Sequence, residues 1–251
     1  MSTTMPTDTA TLRQAKIDLA AALRAAALYG YNEGIDNHFS FAVPGREDLF
    51  LLNRFGPHWS EITASDILVI DLDGQVVDGE GEWETTAFVI HRGVHQAHPK
   101  ARAVFHTHMP WATALSITSD GFDTRMSQAA MYFHGYIAEL EYGGLATGSA
   151  EGERIGAAAR DGVQLVLLKN HGVLVIGNSV ADAWHKLYFC ERASQAQVLA
   201  QSTGRPLVRV SEDVAVRTAA QWHTDSDTHD RLFDAVKRQL DRESPGYDAF
   251  A

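Results

Sequence analysis

The apolar positions of this chain follow two periods, and the switches between them divide it into elements. From residue 15 to 29 the spacing of Ile17, Leu19, Ala20 and Leu23 is helical, and Gly30 ends the segment. Strand-length runs follow at 37–43, 49–52 and 67–70. The last enters the turn Asp71-Leu72-Asp73-Gly74 and returns at 75–77. Residues 86–98 carry Phe88, Val89, Val94 and Ala97 as a helix. Ala103-Val104-Phe105 then reads as the end of a buried strand that Pro110 stops, with a helix restarting over 110–116. Two further apolar runs, 163–169 and 173–176, flank Asn170-His171-Gly172, a tight-turn composition in which Gly172 can take positive φ. Ser179 is placed to cap the strongest helix, marked by Val180, Ala183, Trp184, Leu187, Tyr188 and Glu191 and continued by Val198 and Leu199. A last helix is predicted around 231–240. Residues 1–11 read as a flexible N-terminus. Residues 12–251 read as one domain, since no repeat, low-complexity tract or linker divides them.

Composition narrows the partners. At 251 residues, with 45% hydrophobic and 21% charged content, the chain can bury a substantial core. A formal net charge of −11, with Lys and Arg scattered, argues against a nucleic-acid partner and against a basic membrane-surface helix. No apolar stretch approaches transmembrane length and no leader pattern opens the chain, so no membrane partner is expected. The single cysteine, Cys190, cannot form an internal disulfide. It falls in a helical pattern as a packing residue, and a reducing, cytoplasmic compartment is expected.

The chemistry begins at His106 and His108. Side chains two apart on a strand project to the same face, about 6–7 Å apart at the backbone, which suits two nitrogen ligands on one divalent metal. His171, at the tip of the turn between two buried strands, is a candidate third. Three neutral imidazoles suit Zn2+, and also Mn2+, Co2+ or Fe2+. Glu61, in a polar turn, is an acid/base candidate. His91 and His95 stand one helical turn apart, with His91 a candidate pocket residue. Tyr132 and His134 follow the histidine strand, and the His134 imidazole is a candidate general acid/base. Trp184 and Tyr188 read as core, and His223 and His229 as surface.

Together, His106-Thr107-His108, Asn170-His171-Gly172 and the early Gly34-Ile35-Asp36-Asn37-His38-Phe39-Ser40 resemble the class II aldolase/adducin family, in its adducin-type bacterial branch. The resemblance extends through Asn53-Arg54-Phe55-Gly56, Ser60–Ser65, Ala87–His91 and Arg192–Gln197, and covers roughly residues 12–250. It implies a single three-layer α/β/α domain with a central, mainly antiparallel sheet, assembled as a homotetramer. It also implies zinc held by His106, His108 and His171, with aldol cleavage of a small carbonyl or hydroxy-acid substrate. Asn37 matches the family's substrate grip, and Thr63 and Ser65 fall near its second part. The sugar-phosphate aldolases of the family carry a proton-transferring Glu where this chain has Ala87, with Glu84 three residues earlier. That departure brings forward decarboxylation of a hydroxylated aromatic or keto acid, which needs no base to deprotonate an alcohol. An iron-dependent oxygenase and an adducin-like, non-catalytic binding protein are the remaining readings.

Overall fold

The computed structural model describes residues 9–98, 100–224 and 227–250. The first helix, α1, runs Thr9–Tyr29, so it starts earlier than the sequence suggests. The flexible start expected over 1–11 does not extend to Thr9, and residues 1–8 lie outside the described residues. Strands β1 (His38–Ala42), β2 (Leu49–Asn53), β3 (Ile67–Asp71) and β4 (Val76–Asp78) precede helix α2 (Thr85–Ala97). Strand β5 (Ala103–Thr107), helix α3 (Pro110–Ser116), the short helix α4 (Gln128–Met131), strand β6 (Ile137–Leu140) and helix α5 (Ser149–Ala158) follow. Strands β7 (Leu165–Leu168) and β8 (Gly172–Gly177) lead into helices α6 (Val180–Ser202), α7 (Glu212–Trp222) and α8 (Asp227–Glu243).

The strands form one eight-stranded sheet in the order β4-β3-β2-β1-β5-β8-β7-β6, antiparallel except where β6 pairs with β7. Residues directly opposite in an antiparallel pair share a face. His38 stands opposite His106, Phe39 opposite Phe105 and Ser40 opposite Val104. Phe39 and Phe105 therefore turn together into the larger core, stacked with ring centroids 3.9 Å apart. That core lies under α1, α6 and α8. His38, Ser40 and His106 turn to the other face, where α2 and α5 lie.

Helices α2 and α5 cross on glycines. A Cβ on Gly93 would stand 2.1 Å from the Gly152 carbonyl oxygen, and one on Gly156 would stand 2.4 Å from that of Gly93. Only hydrogen side chains permit this approach, which draws α2 down over the histidine-bearing face.

Candidate metal centre

His106 lies near the end of β5, 2% exposed, and its Nδ1 is 2.9 Å from the Val173 carbonyl of β8. A carbonyl only accepts, so Nδ1 carries the proton and Nε2 keeps a lone pair. His108 lies just past the strand, and its Nδ1 donates to the Glu33 carboxylate. The two Nε2 atoms face each other at 3.2 Å. With both rings neutral, their protons are committed to Val173 and Glu33 and two lone pairs meet, an arrangement that a shared cation relieves.

His171 completes the group: its ring centroid is 4.7 Å from that of His106 and 4.8 Å from that of His108, and the three sets of ligand atoms lie within 4.8 Å of one another. Nitrogens at about 2.0–2.1 Å from one tetrahedral ion stand about 3.3 Å apart, so the pair at 3.2 Å already has the required spacing. Burial holds His106 well below the ordinary imidazole range and His171 down to about 4, which keeps both neutral, as metal ligands must be. In the turn that delivers His171, the left-handed residue is Asn170 (φ 57°), not Gly172. Gly172 serves close approach instead: a Cβ there would stand 2.5 Å from the Thr107 carbonyl oxygen.

The triad opens into a pocket of about 740 Å³. Asn37, left-handed at φ 76°, spends its Oδ1 on the backbone N–H groups of Glu33 (2.9 Å) and His108 (3.4 Å). Its Nδ2 is buried in the pocket wall with no partner among the described residues, as is the Thr113 hydroxyl. Glu84 also lines the pocket, but its carboxylate caps α2, accepting from the Ala87 N–H at 2.7 Å and the Thr86 hydroxyl at 2.5 Å. Glu33, Asp36 and Glu84 are the pocket's carboxylates, and no Lys or Arg is among the described residues lining it. Ile35, Phe55, Ile117, Tyr142 and Leu145 give it an exposed apolar rim.

Behind the pocket wall the imidazoles continue. His38, 5% exposed and lining the pocket, places its ring 4.9 Å from that of His106. Its Nδ1 is 2.8 Å from His91 Nε2. His91 Nδ1 is 2.5 Å from Ser40 Oγ, which is 2.8 Å from His95 Nε2, and His95 Nδ1 reaches the Ala101 carbonyl at 3.1 Å. His91 is therefore not a pocket-lining residue. It lies fully buried, one step behind His38.

Several expected site residues lie elsewhere. Glu61 caps the turn before it, accepting from the His58 N–H at 2.8 Å, and its carbonyl accepts from Arg24. Thr63 and Ser65 bond each other at 2.8 Å at the start of a 3-10 turn, where the Thr63 hydroxyl donates to Asp66. None of the three lines the pocket. Tyr132 is fully buried against His185, Trp222 and His223 on the opposite side of the sheet. His134 bonds Thr124 at 2.8 Å and Glu212 at 2.9 Å. Both follow β5 in the chain, but the segment after Ile117 turns into the larger core through Phe122, Ala130, Tyr132 and Phe133. His223 and His229 are not simple surface residues either, since His223 bonds the Tyr132 carbonyl and His229 lies 3.8 Å from Asp182. The sequence reading missed Glu33 and Thr113. Glu33 directly precedes the Gly34–Ser40 motif, which was its one available signal.

Comparison with known proteins agrees with this architecture. A class 2 aldolase-family protein of Caulobacter vibrioides is 36% identical over 238 residues, covering 93% of this chain and 91% of that protein. The crystal structure of an aldolase II superfamily protein from Pseudomonas syringae superposes with a TM-score of 0.90 at 34% identity, covering 96% of this chain and 98% of the other. Decarboxylase NovR of Streptomyces niveus is 28% identical over 204 residues, covering 80% of this chain and 75% of that protein. Residues 17–198 match the Class II Aldolase and Adducin N-terminal domain, and the chain belongs to that family.

Proposed function

We propose that the protein is a divalent-metal-dependent carbon–carbon lyase acting on a small carbonyl or hydroxy-acid substrate, with His106, His108 and His171 as the metal ligands. The observation that carries this reading is the facing pair of Nε2 atoms 3.2 Å apart, with His171 completing the group. A bound ion, Zn2+ first among the candidates, supplies Lewis-acid stabilisation of negative charge developing on a substrate oxygen. Glu33 holds the His108 ring and its tautomer. Asn37 Nδ2 and the Thr113 hydroxyl donate to substrate oxygens, and the apolar rim takes an uncharged portion of the substrate. With three carboxylates and no cation among its described lining residues, the pocket favours a singly charged substrate over a phosphate dianion. We further propose a cytoplasmic homotetramer, on the family's pattern.

Decarboxylation of a hydroxylated aromatic or keto acid is the second reading. Ala87 in place of a carboxylate, an apolar rim and likeness to a decarboxylase support it. Metal analysis of protein purified without chelators tests the shared premise. About one ion per chain, lost in His106→Ala and His171→Ala, is expected. No stoichiometric metal would instead favour a non-catalytic, adducin-like binding role. A panel of hydroxy acids, hydroxylated aromatic acids and ketose phosphates then separates the reactions. Turnover restricted to sugar phosphates would overturn the proposed substrate class.

A further inference from the structure

Of the three pocket carboxylates, Glu33 is engaged by His108 and Asp36 is exposed to solvent. Glu84 differs from both. It is half-buried at the N-cap of α2, and the two hydrogen bonds of that cap, from the Ala87 N–H and the Thr86 hydroxyl, both fall on Oε2. Oε1 has no partner among the described residues. A cap uses one oxygen, so the second is left for whatever occupies the pocket that Glu84 lines.

The neighbours of Glu84 narrow what that occupant can be. Thr86, which also lines the pocket, spends its hydroxyl proton on Oε2 and offers a ligand only lone pairs. Phe55 is tied to the segment leading into Glu84 by its N–H, which donates to the Glu82 carbonyl at 2.9 Å. Its ring, 40% exposed, brings an apolar surface to the same end of the pocket. From Glu84 to His91, the residue that contacts His38, α2 rises about 10 Å, so this end lies away from the imidazoles.

We propose that Glu84 Oε1 is the specificity determinant of the pocket, selecting substrates that carry an O–H or N–H donor, and no anionic group, at the end away from the metal ligands. The carbon chain of such a substrate passes over Phe55, and its terminal donor reaches Oε1. A carboxylate or phosphate in that position would meet a fixed negative charge, with no Lys or Arg among the described lining residues to offset it. This selection deepens the lyase reading and rests on it, because the other end of the substrate is held at the metal.

The test uses zinc-loaded protein and α-hydroxy acids of graded chain length that differ only at the far end: hydroxyl, ammonium, methyl or carboxylate. Isothermal titration calorimetry ranks them. At the chain length that spans the pocket, a hydroxyl or ammonium end should bind about 10- to 100-fold more tightly than a methyl end, the usual worth of a hydrogen bond to a charged group. The carboxylate end should bind most weakly, and the stronger of the first two identifies the donor. Glu84→Gln keeps the cap, since the amide oxygen accepts in place of Oε2, and sets an NH2 donor where Oε1 stood. The donor-ended acids should then lose their advantage and the carboxylate-ended acid should gain, with zinc still stoichiometric, a reversal that a purely structural cap would not produce. Methyl-ended acids binding as tightly as donor-ended ones at every length would overturn the proposal without any variant. So would an unchanged ranking in folded Glu84→Gln. Binding by no member of the series overturns the proposal together with the lyase reading. The expected ranking without turnover of any compound overturns the lyase reading alone.

Discussion

His106 and His108 face each other with their Nε2 atoms 3.2 Å apart, and each has already given its other ring proton away, one to the Val173 carbonyl and one to Glu33. A hydrogen bond between them would require one ring to be charged. The pair is therefore held ready for a cation by partners outside the ligand set, and the first prediction concerns such a partner.

Glu33→Gln should weaken metal binding by roughly 10–100-fold, the usual cost of losing a carboxylate that orients a ligating histidine. The His106 anchor is a backbone carbonyl and is untouched. Competition with a chelator of known affinity measures the change. An unaltered affinity would show that Glu33 does not orient His108.

Gly93→Ala should destabilise the fold by about 1–3 kcal/mol, since the new methyl would stand 2.1 Å from the Gly152 carbonyl oxygen and force α2 away from α5. Urea denaturation reads the loss. Because α2 carries His91 and His95, the same variant should loosen those buried imidazoles, visible as faster exchange of their ring protons.

Glu191, on α6, accepts from the Trp111 and Ala112 N–H groups at 2.9 Å each, holding the first turn of α3. Its carboxyl is pushed up by burial and held down by those two bonds. Glu191→Ala should cost about 1–3 kcal/mol by leaving buried donors unpaired, while metal stoichiometry is retained. Thermal melts alongside metal analysis test both halves.

Acid should destabilise the metal-free protein in a defined window. His95 is held down to about 4 by burial, whereas in the unfolded chain it titrates near 6.5. The unfolded state therefore binds the extra proton first, so stability is complete above about pH 6.5 and falls as pH drops towards 4. At about 1.4 kcal/mol per pH unit, His95 alone accounts for roughly 3 kcal/mol at the acid end. His95→Gln, which cannot charge, should flatten the slope in denaturation series across this range. An unchanged slope would show that His95 is not a source of the acid loss.

Much of the site was legible because it lies on local periodicity. His106 and His108 share a strand face, and His171 lies in a turn between two apolar runs. The strands β1, β2, β3, β5, β7 and β8 were legible for the same reason. What was missed carries weak or competing local signals. Strand β6 is four residues with Glu139 inside it, and α5 holds Gly152 and Gly156, which read against a helix until α2 is seen resting on them. Glu33 and Thr113 reach the pocket only through tertiary structure. Tyr132 and His134 follow β5 in the chain without standing near its metal face, since Tyr132 packs into the core on the other side of the sheet.

The register of β1 against β5 pairs Phe39 with Phe105 on one face of the sheet and His38 with His106 on the other. A slip of β1 by one residue would turn Phe39 into the wrong layer, away from Phe105, and in the same movement withdraw His38 from beside His106 and the pocket. The apolar core thus acts as the sighting mechanism of the polar site. Any descendant sequence that keeps its core packed keeps these imidazoles aimed, whether or not it still turns over a substrate. Loss of catalysis in such a lineage should therefore be sought in what surrounds the aimed rings rather than in their direction.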